Sequence, residues 1–264
     1  MKLATWNVNS LAVRLPQLLA WLAVNQPDVM VLQETKLVDD KWPQAEIEAA
    51  GYRAVWFGQK TYNGVALLSK VEAGNALRNI EGFADEQARV IAATVNGLRI
   101  VGGYFPNGQA PGSDKFAYKM KWLDALREWL REELQAHPKL VLMGDFNIAP
   151  DDRDVHDPAA WAGQILCTDE ERAHFRALCG LGLFDAFRLF EQPPKLYSWW
   201  DYRMLAFRKN QGLRIDLILV SEALPTIVIA RCLRFIWKVT VQPKETREPL
   251  ALSISCAVDW RVLQ

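Results

Sequence analysis

The stretch GDFNIAP at residues 144–150 places a carboxylate, Asp145, and a carboxamide, Asn147, two positions apart at the end of the apolar run KLVLM. Strand alternation predicts that both point one way and Phe146 the other, so two oxygen donors face one spot. An Asx-type turn punctuated by Pro150 and Asp151 explains the same letters without chemistry. Repetition favours chemistry. The run at 2–8 ends in Asn7 with Asn9 just beyond, the run at 28–34 ends Gln33-Glu34, the run at 89–106 ends at Tyr104-Phe105-Pro106 with Asn107 following, and the run at 214–221 carries Arg214-Ile215-Asp216. If these ends share one edge of packed sheets, Glu34 and the Asn and Asp oxygens form a hard-oxygen site suited to magnesium or manganese rather than zinc. Taken singly, Asn7 and Asn9 read as turn formers, Glu34 as a surface residue and Asp216 as a partner of Arg214. Five coincidences at strand ends are harder to dismiss than one.

The elements that must position these groups follow from periodicity. Strand-like runs lie at 2–8, 28–34, 64–70, 89–106, 139–148, 196–202 and 214–221, and the fourth folds as a hairpin at Asn96-Gly97. Ser10 is placed to cap a helix whose Leu15, Leu18, Leu19 and Leu22 fall on one face, with Pro27 beyond its end. A longer helix over roughly 116–135 carries Met120, Leu123, Leu126, Leu130 and Leu134 on one stripe, and a third runs near 169–179. Mixed strands and helices over this length predict sheets with helices outside.

With 264 residues, half of them hydrophobic, a single domain over 1–264 is expected. The formal net charge of zero gives no argument for a polyanionic partner, so any nucleic-acid surface must be a local concentration of Lys and Arg. Cys167, Cys179, Cys232 and Cys256 lack CxxC spacing, which fits reduced thiols rather than a zinc site or disulfide scaffold. The N-terminus enters a strand-like run directly and no apolar run approaches a membrane span, so a cytoplasmic protein without membrane contact is expected. Lys115, Lys119, Lys121, Arg203, Arg208 and Lys209 are candidate phosphate contacts, Arg214 is counted with them, and ordinary surface solubility is the competing account. Of Tyr197, Trp199, Trp200 and Tyr202, two are expected in the core. The others, Trp199 among them, are left to stack on a displaced base or pack round a baseless sugar.

Taken in order, TWNVNSL, LQETK, YNGVALLSK, GYFPNG, GDFNIAP, SWWDYR and GLRIDLILVS resemble the exonuclease III family of apurinic/apyrimidinic endonucleases, in the wider endonuclease/exonuclease/phosphatase superfamily, over about residues 1–221. The resemblance implies a four-layered α/β sandwich, two packed mixed β-sheets flanked by helices, with the active site at their common edge. It implies a magnesium- or manganese-dependent phosphodiesterase of DNA base-excision repair acting on duplex DNA with 3′ ends or abasic sites, and a monomer is expected. Carried over, Glu34 stands as the metal-binding glutamate, with Asn7 and Asn9 beside the ion. Tyr104 stands against the scissile phosphate, Asp145 orients or deprotonates the attacking water, and Asn147 hydrogen-bonds the phosphate or nucleophile. Leu213 stands where relatives often carry tryptophan in the pocket for the damaged nucleotide, which leaves 3′ exonuclease or 3′ repair activity more open than abasic-site cleavage. Two further classes compete: a nucleic-acid-binding relative without catalysis, and a phosphodiesterase for another ester such as a lipid or inositol head group.

The main departure lies near the C-terminus. Relatives carry a Ser-Asp-His-Ala-Pro stretch whose histidine pairs with the aspartate corresponding to Asp216. With Pro249-Leu250 as anchor, Arg247 occupies the histidine position, and none of His137, His156 and His174 matches it. A guanidinium cannot accept a proton at working pH, though it can pair with Asp216 and donate to a phosphate oxygen. The island RCLRFIWKVTVQPKETRE at 231–248 has family-like sequence on both sides, as two compensating reading-frame slips would produce, and resequencing the gene checks this. Arg247→His with Thr246→Asp is expected to raise the nuclease rate by about 10²- to 10⁴-fold, the usual worth of a positioned acid/base group. An unchanged turnover on duplex DNA would count against that assignment.

Overall fold

The computed structural model describes residues 1–224 and, as backbone, the strands at 227–233 and 236–241. Arg247, Thr246 and most of the 231–248 island therefore lie outside the described residues.

Two six-stranded sheets are stacked face to face. The first contains β1 (Lys2–Asn7), β2 (Val29–Gln33), β3 (Arg53–Phe57), β4 (Val65–Ser69), β13 (Ile227–Leu233) and β14 (Ile236–Val241), in the order β13-β14-β1-β2-β4-β3. The second contains β5 (Gly74–Arg78), β6 (Val90–Val95), β7 (Leu98–Tyr104), β8 (Leu140–Asp145), β9 (Leu183–Asp185) and β12 (Asp216–Ser221), in the order β5-β6-β7-β8-β12-β9. A two-stranded ribbon pairs β10 (Trp199–Trp200) with β11 (Gly212–Leu213). Each sheet is mixed: β1 runs parallel to β2, β7 parallel to β8, and the other pairings are antiparallel.

Three cores make the four layers. Between the sheets, Leu3, Val29, Val31, Val65 and Leu67 meet Ile91, Ile100, Val141, Met143, Ile218 and Val220. Outside the first sheet, Ala4, Met30, Leu32 and Leu68 pack against Leu11, Leu18 and Leu22 of α1 (Leu11–Asn25) and Ile47 of α2 (Gln44–Ala49). Outside the second, Leu140, Leu142, Leu217 and Leu219 receive α3 (Asp114–Ala136) through Met120, Leu123, Leu126 and Leu130, and α5 (Asp169–Cys179) through Phe175 and Leu178. A short α4 (Pro158–Trp161) precedes α5. Central strands buried on both faces explain why the sequence shows near-continuous apolar runs rather than alternation. The resulting α/β/β/α sandwich is the expected fold class.

The Asn96-Gly97 hairpin forms as read, with Val95 opposite Leu98 and both turn residues at positive φ. The helix at 10–22 forms, but Ser10 does not cap it: its side chain makes no cap bond and its φ is 97°. Instead the backbone N–H of Ser10 donates to the Glu34 carbonyl and that of Leu11 to the Thr35 carbonyl, so the start of α1 is tied to the end of β2. The strands β3, β5 and β9 lie outside the predicted runs; β5 is exposed along its whole length and carries no burial signal.

Gly144 shows how tightly the centre of the second sheet is built. It sits opposite Gly103 with φ at 151°, and a Cβ there would lie 1.9 Å from the Gly103 carbonyl oxygen. No side chain fits, and the backbone conformation itself favours glycine. Gly144→Ala is expected to destabilise the protein by about 3 kcal/mol or more, measured by denaturant unfolding; a loss within about 0.5 kcal/mol would contradict the close approach.

Candidate active site

Register brings the strand ends together. In the second sheet Tyr104 is opposite Asp145 and Asp145 is opposite Asp216, so the three form one row across β7, β8 and β12. In the first sheet Asn7 is opposite Gln33, and Glu34 follows immediately. Asn7 joins the two sheets: its Nδ2 donates to Glu34 Oε1 at 2.7 Å and to Asp145 Oδ2 at 2.9 Å. Asn7, Asn9, Glu34, Asp145 and Asp216 line one pocket of about 200 Å³, with Ser198, Trp199, Trp200 and Tyr202 as its other wall.

The local backbone is shaped to aim these groups. Glu34 and Lys36 both have positive φ, 52° and 54°, and Thr35 and Lys36 are held by the carbonyls of Gly64 and Asn63. A Cβ on Gly64 would lie 2.2 Å from Thr35 Oγ1, so the Glu34 turn nests against a position that has to be glycine. Ser198 Oγ accepts the backbone N–H groups of Ile215 and Asp216, each at 3.0 Å, and fixes the entry to β12.

Crowding and burial perturb the two aspartates. Burial pushes Asp145 up to about 7, with the charge of Glu34 adding to the rise and hydrogen bonds from Asn7 and the Asn147 N–H opposing it. Burial and then the charge of Asp145 raise Asp216 well above the usual carboxylate range, against a hydrogen bond involving Ser198. Among the described residues Asp216 Oδ1 has no hydrogen-bond partner. Burial first, and next the charges of Glu34 and Asp145, raise the Tyr104 hydroxyl above its usual range. Arg89 stacks on the Tyr104 ring at 5.0 Å and donates to the Tyr104 carbonyl at 3.2 Å, which anchors that side chain from behind.

These residues fit a divalent cation of the hard, oxygen-seeking kind. Lys36 Nζ already bridges Glu34 Oε2 at 2.8 Å and Asn9 Oδ1 at 2.5 Å, so a positive charge is accommodated between those two oxygens. Among the described residues no group of three or more His, Cys, Asp or Glu is arranged to hold a metal on its own. A hard divalent ion that keeps several waters needs only one or two carboxylates, which suits such a sparse set. Asn7 keeps its oxygen on the Asn9 N–H at 3.0 Å, so in this arrangement it bridges the carboxylates rather than presenting an oxygen to the ion position.

Several sequence expectations need correction. β8 ends at Asp145, and Asn147 lies beyond it with φ at 49°; its backbone N–H donates to Asp145 Oδ1 at 2.9 Å. The Asx-type turn is therefore real, and it is the turn rather than strand alternation that sets Asn147 beside Asp145. The amide of Asn147 is held between Asn107, which donates to its Oδ1 at 3.0 Å, and the Phe105 carbonyl, which accepts from its Nδ2 at 3.1 Å. Arg214 is no DNA contact: it is 1% exposed, and its guanidinium bonds Asp154 at 2.6 and 3.1 Å and Asp185 at 2.7 Å. Lys119 is likewise buried, its ammonium paired with Glu171. Lys115 and Lys121 are exposed on α3 but do not line the pocket, and Arg203 is exposed with its guanidinium on Asp201 at 2.7 Å. Tyr197 and Trp200 are the two aromatic residues buried in the core. Trp199 is half-buried edge-on to Trp161, and Tyr202 is 86% exposed, its hydroxyl accepting from Asn9 Nδ2 at 3.2 Å. Ser198, Lys36 and Arg89 carry no signal of their own in the sequence, although S before WWDYR and K after QET stand beside candidate residues.

Residues 4–236 match the Endonuclease/Exonuclease/phosphatase family. The chain is 38% identical over 240 residues to exodeoxyribonuclease III of Haemophilus influenzae, covering 85% of this chain and 89% of that protein. It is 33% identical over 231 residues to the DNA repair nuclease APEX1 of Danio rerio, covering 85% and 74%. Among solved structures, a 3′ phosphatase from Neisseria, NExo, bound to a product DNA hairpin superposes with a TM-score of 0.89 at 44% identity, covering 92% of this chain and 99% of that one. An AP endonuclease from Archaeoglobus fulgidus superposes with a TM-score of 0.87 at 30% identity, covering 92% and 100%. With the match running through every segment that supplies a group to the pocket, the chain belongs to the Endonuclease/Exonuclease/phosphatase family.

Proposed function

We propose that this protein is a metal-dependent DNA phosphodiesterase of base-excision repair that works at 3′ ends, as an exonuclease or 3′-end-cleaning enzyme. The observation that carries this is the junction of Asn7, Glu34 and Asp145 across two sheets, with Asp216 and Tyr104 in the same row as Asp145. The names of the relatives, exodeoxyribonuclease III, 3′ phosphatase and DNA repair nuclease, support the substrate class. Leu213, where relatives often carry tryptophan, is fully buried beside Ala149, Val155 and Ile215 and supplies no indole. That favours 3′-end processing over abasic-site incision. A cytoplasmic, monomeric protein belongs to the same reading; among the described residues no helix is long and apolar enough to cross a membrane.

Each side chain has a task that its surroundings suit. Glu34 and Asn9, whose oxygens already receive the Lys36 ammonium, would hold a Mg²⁺ or Mn²⁺ ion. The ion supplies positive charge to the phosphoryl oxygens and makes a bound water more acidic. Asp145, whose affinity for a proton burial raises, aligns the attacking water and accepts its proton. Asn147 and Asn107, whose amides are already fixed, offer N–H groups to the phosphate or nucleophile. The Tyr104 hydroxyl, kept protonated by burial, donates rather than attacks. Trp199 and Tyr202 rim the pocket and give the terminal nucleotide a stacking surface, while Lys115, Lys121 and Arg203 serve the flanking backbone.

The test uses the full chain with Mg²⁺ on duplexes carrying a recessed 3′ end, a 3′ phosphate or an abasic site. Cleavage at 3′ ends is expected, with Glu34→Ala lowering kcat by about 10³-fold or more and abolishing thermal stabilisation by Mg²⁺. Tight binding of all three duplexes without turnover would instead establish a non-catalytic relative. The acidity of Asp145 gives a second prediction. An acid whose folded pKa is raised weakens the fold as pH climbs from its unfolded value near 4 to its folded value, about 7. In EDTA, the melting temperature of Asp145→Asn relative to the parent should therefore rise by about 5 °C or more between pH 4 and 7.5, and the gain should shrink when Mg²⁺ is added. A pH-independent difference would remove the buried-acid account.

A further inference from the structure

Lys119 and Glu171 are both fully buried, and they form an ion pair between α3 and the first turn of α5. Buried ion pairs are costly unless every remaining donor and acceptor is met. Here they are. Glu171 also accepts the backbone N–H of Leu166 at 3.1 Å, that of Thr168 at 3.0 Å and the Thr168 hydroxyl at 2.8 Å. The other two donors of Lys119 go to the carbonyls of Asn147, at 2.7 Å, and Asn107, at 3.2 Å. Those carbonyls belong to the two loops that leave β7 and β8 at the candidate active site.

The consequence is a single point of attachment behind two active-site loops. Asn147 has a left-handed backbone, and Asn107 Nδ2 is hydrogen-bonded to Asn147 Oδ1, so the loops also hold each other. A Cβ on Gly108 would come within 3.1 Å of Lys119 Cδ, which shows that the 107–108 turn lies directly on the lysine stem. An ammonium has three donors, enough to gather two loop carbonyls while a third is held by a carboxylate; an apolar side chain of the same length would leave both carbonyls buried and unmet.

We infer that Lys119 and Glu171 are positioning residues for hydrolysis: the pair holds the 105–109 and 146–149 loops so that the amides of Asn107 and Asn147 meet the phosphate beside Asp145. The catalytic part rests on the nuclease reading above. Lys119→Met alone leaves Glu171 charged and unmatched, so the informative variants are Lys119→Met with Glu171→Met, and Glu171→Gln alone. In the folded double variant kcat on a 3′-recessed duplex with Mg²⁺ is expected to fall about 100-fold, while KM and the affinity for the same DNA in Ca²⁺ stay within about 3-fold, because an orientation lost at the reacting centre lowers turnover rather than binding. Glu171→Gln is expected to lose about 10-fold and decides the matter if the double variant does not fold. Amide exchange over 105–109 and 146–149, followed by mass spectrometry, should rise at least about 10-fold in either variant while the β-strands keep their protection. Unchanged loop exchange, or turnover within about 3-fold of the parent in a variant that melts normally, would overturn the inference. A parent that cleaves no DNA would sink the nuclease reading and leave the exchange experiment to judge the clamp.

Discussion

The architecture is organised around three carboxyl groups crowded into one small space, two of which burial and crowding make hold their protons more tightly. Glu34, Asp145 and Asp216 are carried to one spot by two different sheets, and Asp145 and Asp216 are direct cross-strand neighbours. Like charges so placed repel, and burial magnifies the effect. A fold that only needed to be stable would not keep them. The arrangement is made tolerable by protons held on the buried acids, by one carboxamide, Asn7, shared between Glu34 and Asp145, and by one ammonium, Lys36, drawn onto Glu34. The apolar layers on either side supply the rigidity that keeps the acids from moving apart. The close backbone contact at Gly103 and Gly144 continues that rigidity to the residue next to Asp145.

Much of this was legible in the sequence because it depends on near neighbours. The apolar runs that become β1, β2, β4, β6, β7, β8 and β12 are dense enough to be read without tertiary information, and the Asn-Gly turn states its own geometry. Gathering of Asn7, Glu34 and Asp145 followed from one idea, that polar residues at strand ends share an edge. The structure refined that idea at Asn147, where a left-handed residue after the strand does what alternation was expected to do.

What could not be read depends on distant partners. Arg214 looks like a phosphate contact until Asp154, sixty positions away, and Asp185 take its guanidinium. Lys119 lies on a helix whose neighbouring Lys115 and Lys121 are exposed, and only the fold shows that it alone turns inward to Glu171, 52 residues on. In both cases a charge suited to the surface is used to fasten loops beneath the site. The short strand β5, exposed throughout, is defined by its pairing with β6 and has no pattern of its own to announce it.

The bond between Asn7 and Asp145 spans 138 positions, and Asp216 joins the same row from still further along. Because chains emerge from the ribosome from the N-terminus onward, the pocket stays unassembled until most of the polypeptide has been made. A ribosome that stalls before residue 216 therefore releases a fragment with the glutamate and the first aspartate but not the second.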